Sequence, residues 1–442
     1  MFQLQIKIIL CLTLLPGLTL AQLPRRAFLG VQMATATDNA AQQTQATGGK
    51  GVVVLNTIPA STARQLDLRP NDIILRINET ETNAYTDVVG LVRQMKAGDP
   101  LRFTLIRDGK TIRKEGNLQP YPQEVTTDIE TVYGEMVCED ATLRTILTKP
   151  RQTGKRPAVL WVGGISCYSV DSPLDTTGAE VQICRYLSRN GYVTMRYDRP
   201  GLGDSQGKTP CSQCDFQQEA QHIVNVVRQL KKRDDVDASQ VFLLGHSMGG
   251  VLGPLAAKDE TVKGIIVYGA IGKPFLEYLI DSRRLQAETL NRLDMSRVDE
   301  YMKVVTEFCT RYLVLHQPAN EILANKPDYA YLADLFADRV PAYYYQLHDL
   351  NIARLWKEFG GHALLLWGTH DYISHPGEHL TIKKTMDLEH PGKATVKEIE
   401  NANHSFSYHP TFEEARLQQI GGPLHPQVGS VLVQWLQMVE KS

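Results

Sequence analysis

The chain carries a serine, a histidine and an acid in the surroundings that acyl transfer would need. Gly245-His246-Ser247-Met248-Gly249 has the form G-x-S-x-G and lies between the apolar run Val241 to Leu244 and a helical segment beginning near Gly250. A serine in so sharp a strand-to-helix turn has its oxygen exposed, and the flanking glycines let strand and helix approach closely. The helix N-terminus behind Ser247 favours negative charge. A serine hydroxyl is a weak nucleophile without a base. Asn403-His404-Ser405-Phe406 follows the run Ala394 to Ile399, and Gly368-Thr369-His370-Asp371 follows the run Ala363 to Trp367. We therefore expect Ser247 as nucleophile, His404 as base, and Asp371 as the carboxylate that orients the imidazole and stabilises its charged form. Asp281 or Glu277, after the run Gly264 to Tyr268, is the alternative acid. His246 is expected to point away from the serine. His370, His375, His379 and His409 are expected at the surface or in packing, and His362 precedes a buried strand.

A tetrahedral intermediate carries an oxyanion, and two backbone donors usually stabilise it. One is expected at the N–H of Met248. The other is expected in Gly163-Gly164-Ile165-Ser166, after the run Ala158 to Val162, at Gly164 or Ile165.

These residues need a scaffold, and the pattern around them supplies one. From about residue 131, β and α signals alternate. Strand-like runs stand at Ala158 to Val162, Tyr192 to Tyr197, Val241 to Leu244, Gly264 to Tyr268, Ala363 to Trp367 and Ala394 to Ile399. Helical spacing occurs at Glu180 to Arg189, Phe216 to Lys232 and Val251 to Ala257. Such alternation predicts an α/β fold, a mostly parallel sheet with helices on both faces. Residues 270 to 360 break it with a helical, Tyr-rich stretch, read as a cap over the sheet's carboxyl edge, where ligands bind in open α/β sheets. Tyr343, Tyr344 and Tyr345 either line a pocket there or pack helices together.

Residues 131 to 442 resemble the α/β-hydrolase superfamily, in particular its serine aminopeptidases, dipeptidyl-peptidase-like enzymes and acyl esterases. The order Ser247, Asp371, His404 is that of the family. Asp198-Arg199-Pro200-Gly201-Leu202-Gly203-Asp204-Ser205 is similar to its D-x-x-G-x-G-x-S turn, a structural element. The family often has His-Gly where this chain has Gly163-Gly164, so the oxyanion assignment rests on position. The resemblance implies hydrolysis of an ester, thioester or amide through an acyl-enzyme, without cofactor or metal. The rival expectation is a peptide-binding protein on a hydrolase scaffold that has lost activity.

Ahead of this lies a smaller unit, residues 25 to 119, and a linker, residues 120 to 130, marked by Pro120 and Pro122. It is expected to begin with a strand, Phe28-Leu29-Gly30-Val31, followed by a flexible loop from Ala34 to Lys50. Strands at Val52 to Leu55, Ile73 to Ile77 and Leu101 to Arg107, a helix from Thr86 to Met95, and a hairpin at Asp108-Gly109 complete it. The order resembles a PDZ domain of the bacterial, permuted kind. It departs from that pattern at Gln65 to Leu68 and at Glu79. PDZ domains take an extended peptide as an added strand and hold its terminal carboxylate on backbone N–H groups. Phe28, Leu29, Gly30 and Val31 would form that site, with Arg25 and Arg26 adding charge. The same unit could instead be a spacer or shield.

Two units suit a chain of 442 residues, because single cores stop growing near ~250–300 residues. With 47 basic and 49 acidic residues and no basic stripe, nothing suggests nucleic acid as a partner. Lys7, the apolar run Ile8 to Leu15, and Thr19-Leu20-Ala21 read as a secretion signal cut after Ala21, giving a periplasmic or secreted protein with no later apolar stretch able to span a membrane. Six cysteines then remain: Cys138, Cys167, Cys184, Cys211, Cys214 and Cys309. They allow about fifteen connectivities, and a structural disulfide, such as Cys167 to Cys211, is expected over metal or redox use of Cys211-Ser-Gln-Cys214.

Overall fold

The computed structural model describes residues 23–36, 48–418 and 422–442. The segment read as a secretion signal, and most of the stretch from Ala34 to Lys50, lie outside the described residues.

β-Branched and aromatic residues alternating with polar ones build the N-terminal unit. Its strands are β1 (Ala27–Phe28), β2 (Val31–Thr35), β3 (Val52–Thr57), β4 (Ile73–Ile77), β5 (Thr80–Glu81), β6 (Pro100–Arg107), β7 (Lys110–Asn117) and β8 (Gln119–Pro120). The sheet runs β2-β3-β4-β6-β7 with β5 on β4, and β1 pairs separately with β8. Along β6, Leu101, Phe103 and Leu105 point into a core shared with Val52, Val54, Ile74 and Val88. Val88 comes from α2 (Tyr85–Arg93); the short α1 is Thr62–Gln65. Asp108 and Gly109 both have positive φ, 49° and 72°, as a two-residue hairpin of the twisted type requires. The expected strand from Phe28 to Val31 is broken at Leu29-Gly30. Gly30 has φ +69°, and a β-carbon there would fall 2.2 Å from Ser61 Cβ, so the chain turns between β1 and β2.

The stretch between the two units is no free tether. Glu124 is buried, and its carboxylate meets Arg196 at 2.9 Å and Arg185 at 3.1 Å.

Among the described residues the larger unit holds nine strands: β9 (Glu130–Val137), β10 (Ala141–Lys149), β11 (Arg156–Val162), β12 (Val193–Tyr197), β13 (Gln206–Gly207), β14 (Val236–His246), β15 (Gly264–Tyr268), β16 (His362–Gly368) and β17 (Ala394–Ile399). The order is β13-β10-β12-β11-β14-β15-β16-β17, with β9 also on β10. From β12 to β17 the neighbours are parallel. Both faces are covered, so these strands read as continuous apolar runs. Leu160 and Leu243 face α4 (Phe216–Lys231) and α5 (Gly249–Ala257), whereas Trp161 and Leu244 face α3 (Ala179–Arg189) and the C-terminal helix Pro426–Glu440.

Between β15 and β16 the chain forms helices at Phe275–Thr289, Met295–Leu313, Ala319–Ile322, Pro341–Asp349 and Ile352–Glu358. Tyr343 and Tyr344 are fully buried here. Tyr343 packs on Phe216 at 5.0 Å and holds the cap to the body, whereas Tyr344 packs on Phe336 at 4.9 Å within the cap. Tyr345 stacks on His316 at 3.9 Å. Among the described residues, no helix is long and apolar enough to cross a membrane.

Candidate active site

β14 ends at His246 and α5 begins at Gly249, so the chain reverses within two residues. Ser247 absorbs the turn with φ +53°, a left-handed conformation that costs an L-residue roughly 1–2 kcal/mol. Its N–H donates to the Tyr268 carbonyl at 2.8 Å, and its carbonyl accepts from the Gly250 N–H at 2.8 Å. The flanking glycines have no substitute. A β-carbon on Gly245 would lie 2.4 Å from the Gly249 carbonyl oxygen, and one on Gly249 would lie 2.2 Å from that of Val162.

His404 and Asp371 stand beyond the ends of β17 and β16. His404 Nδ1 lies 2.8 Å from Asp371 Oδ2. A carboxylate there fixes the proton on Nδ1 and leaves Nε2 free to accept one. Asp371 Oδ1 takes the N–H groups of Ile373 at 2.8 Å and Ser374 at 2.9 Å. Burial pushes the Asp371 carboxyl up, but His404 and these two N–H groups outweigh it and hold it below the ordinary carboxylate value. Neither alternative acid pairs with His404: Asp281 and Glu277 meet Lys273, at 2.5 and 3.5 Å.

Two features around His404 were not read from the sequence. Gly269, at φ +68°, forms a floor beneath the imidazole, where a β-carbon would fall 2.5 Å from His404 Cε1. His246 does turn its ring away from the elbow, but toward the base. Its Nε2 lies 2.8 Å from the His404 carbonyl. Burial first, and then His404, push the His246 imidazole down to about 4, so it is a neutral donor at ordinary pH. The other histidines pack or cap. His379 is buried and accepts the Ala270 N–H at 3.0 Å, and His409 bonds Asn403 at 3.0 Å.

The loop after β11 lies beside the serine. A β-carbon on Gly164 would stand 3.6 Å from Ser247 Cβ. Met248 is buried at the head of α5. Cys167 closes the loop through a disulfide to Cys211, whereas Cys138, Cys184, Cys214 and Cys309 are buried free thiols. Cys214 is thus not paired with Cys211. Among the described residues, no group of three or more His, Cys, Asp or Glu side chains could hold a metal ion.

Arg25 and Arg26 are not at the peptide loop, as the sequence suggested. Opposite charge draws them to the larger unit. Arg25 Nη1 lies 2.7 Å from Asp171 Oδ2 and 2.6 Å from Asp204 Oδ2, and the Arg26 N–H donates to Asp204 Oδ1 at 2.8 Å. Asp204 belongs to the turn Asp198 to Ser205, and also meets Arg144 at 3.0 Å. The loop from Phe28 to Gly30 keeps its carbonyls inward. Phe28 accepts from Thr62 Oγ1 at 2.5 Å, Leu29 from the Ala63 N–H at 3.0 Å, and Gly30 from the Ile58 N–H at 2.8 Å. A trans peptide sets the following N–H opposite each carbonyl. The N–H groups of Leu29, Gly30 and Val31 are therefore turned outward, beside edge strand β2.

A strand-to-helix serine elbow with a His-carboxylate pair at the ends of neighbouring parallel strands defines an α/β-hydrolase architecture. Residues 159–416 match the model of the alpha/beta hydrolase family, and residues 27–115 match that of the PDZ domain. The chain belongs to the alpha/beta hydrolase family, with a PDZ domain in front. It is similar to Esterase EstD of Thermotoga maritima, 24% identical over 246 residues, covering 55% of this chain and 53% of that protein. The chain therefore spans about half of that relative's length. Among solved structures it is similar to Est1E from Butyrivibrio proteoclasticus with ferulic acid bound, at TM-score 0.45 and 16% identity, covering 70% of this chain and 99% of that one. It is also similar to the Pyrococcus furiosus esterase Pf2001, at TM-score 0.42 and 13% identity, covering 72% and 98%.

Proposed function

We propose that the protein is an exported serine hydrolase that cleaves an ester or amide bond through an acyl-enzyme. The observation that carries this reading is the left-handed Ser247 elbow together with the 2.8 Å His404–Asp371 pair. Ser247 Oγ attacks the substrate carbonyl carbon while His404 Nε2 takes its proton, and Asp371 stabilises the resulting imidazolium. The carbonyl oxygen becomes an oxyanion facing the N–H of Met248 and that of Ile165 or Gly164. Its collapse breaks the bond to the leaving alcohol or amine, which takes the proton from His404. Water, deprotonated by His404, then attacks the acyl-Ser247 ester and releases the acid. The EstD likeness favours esters among the substrates. The N-terminal apolar segment supports export, and a disulfide fits an oxidising compartment. The PDZ domain, in this reading, takes a peptide or protein C-terminus as a strand beside β2, with its carboxylate on the outward N–H groups of Leu29, Gly30 and Val31.

The test treats the purified protein, without residues 1–21, with a fluorescent fluorophosphonate, beside Ser247→Ala and Asp371→Asn. Labelling lost in Ser247→Ala and slowed by about 10³–10⁴ in Asp371→Asn is expected. A folded wild type that takes no label would sink the hydrolase reading.

A further inference from the structure

A buried carboxylate on α4 organises the loop that faces Ser247. Glu219 is almost wholly buried, and its two oxygens serve two arginines: Oε1 lies 2.6 Å from Arg199 Nε, and Oε2 lies 2.8 Å from Arg339 Nη2. Both arginines spend their remaining donors on main-chain carbonyls. Arg199 Nη2 donates to Gly164 O at 2.6 Å and Gly163 O at 3.2 Å, and Nη1 donates to Ser166 O at 2.9 Å. Arg339 Nε donates to Ile165 O at 2.8 Å, and Nη1 to Cys211 O at 2.8 Å. Four consecutive carbonyls, Gly163 to Ser166, are thereby held by the two arginines. Because a trans peptide points its N–H opposite its carbonyl, this fixes where the following amides aim. Arg339 comes from the cap, Arg199 from the turn after β12, and the Cys167–Cys211 disulfide closes the same loop.

We propose that Glu219, Arg199 and Arg339 are positioning residues of the oxyanion hole. By holding the Gly163 and Gly164 carbonyls, the Arg199 guanidinium turns the N–H groups of Gly164 and Ile165 away from itself and toward Ser247. This proposal rests on the acyl-transfer reading above. Preorganisation is what makes such a donor effective, since it then needs no reorientation as charge develops. A lysine could not replace Arg199, because one ammonium lacks the planar fork that serves several acceptors at once.

The full-length mature protein serves as the test, with p-nitrophenyl butyrate as substrate. Glu219→Gln keeps the shape but removes the charge between the arginines, and Arg199→Lys keeps a cation but loses the fork. Both are expected to lower kcat roughly 10- to 100-fold, short of the ~10²–10³ for outright loss of a donor, with KM within twofold. The pH midpoint of kcat/KM should not move, because His404 and Asp371 are untouched. A packing role alone would lower the melting temperature and spare kcat measured well below it. Variants within threefold of wild-type kcat would overturn the proposal. A wild type that neither labels nor turns over would instead overturn the acyl-transfer reading, and the two failures are thus distinguishable.

Discussion

His246 holds the main chain of His404: its Nε2 donates to the His404 carbonyl at 2.8 Å, with the two rings 5.0 Å apart. The residue before the nucleophile therefore fixes the backbone that presents the base. His246→Phe keeps a flat ring but removes the donor. We expect kcat to fall about tenfold with KM unchanged, less than the ~10² that a 1 Å misplacement of reacting groups can cost. Steady-state kinetics on an ester at pH 8 checks this, and an unchanged kcat would mean that packing alone positions His404.

Gly269 gives a sharper case. An added β-carbon would collide with His404 Cε1 at 2.5 Å and Nδ1 at 2.8 Å, and φ +68° disfavours any other residue. Gly269→Ala should displace the imidazole from Asp371 and lower kcat by at least about 10²-fold. Stability should fall by only about 1–2 kcal/mol, since the strain is confined to one residue. The comparison of kcat with the urea midpoint separates the two effects.

The contrast between these residues and the ones read from sequence is one of range. The elbow is legible because glycine spacing, strand and helix all lie within a dozen residues. The pairing of His404 with Asp371 follows from chain order, since each stands just beyond its own strand. Gly269 and His246 gave no such signal, because their partners come from other strands. Glu219 reads as one more polar position in an amphipathic helix, and only the packed structure brings Arg199 and Arg339 to it. Arg25 was drawn toward the peptide loop by proximity in sequence, whereas its partners Asp171 and Asp204 lie 146 and 179 residues away.

That interdomain contact should be worth measuring. Arg25 is nearly buried between two fully buried carboxylates, and its own burial opposes its charge while Asp171 and Asp204 favour it. Arg25→Ala leaves both carboxylates short of a partner and should cost about 3 kcal/mol. The double variant Arg25→Ala with Asp171→Ala should cost less than the sum of the two singles. Urea unfolding followed by tryptophan fluorescence reads the larger unit, which holds all four tryptophans. Additive losses would show that the pair does not couple the two units.

Asp198 predicts a pH dependence of stability. Burial pushes its carboxyl up to about 6, against the N–H of Val170 at 2.7 Å and the hydroxyl of Ser169 at 2.9 Å. Its proton is held more tightly in the folded than in the unfolded chain. The contribution to stability is therefore full below about pH 4 and is lost as the pH rises through 6. Asp198→Asn cannot ionise and can still bond both groups. Relative to wild type it should match at pH 4 and gain about 2–3 kcal/mol by pH 7. Thermal unfolding at both pH values decides this, and a difference that does not change with pH would show that Asp198 is not the group responsible.

The disulfide should link stability to catalysis. Cys167 and Cys211 are 44 residues apart, and cross-linking a loop of that length restricts the unfolded chain by about 4 kcal/mol. Cys167 also ends the loop whose carbonyls Arg199 and Arg339 hold. Reduction should therefore act twice: the urea midpoint falls, and kcat falls several-fold at urea concentrations where the protein is still folded. Cys167→Ser with Cys211→Ser should reproduce both effects and make the enzyme insensitive to reductant. If reduction lowers the midpoint but leaves kcat intact, the arginines alone suffice to hold the loop, and the bond serves stability only.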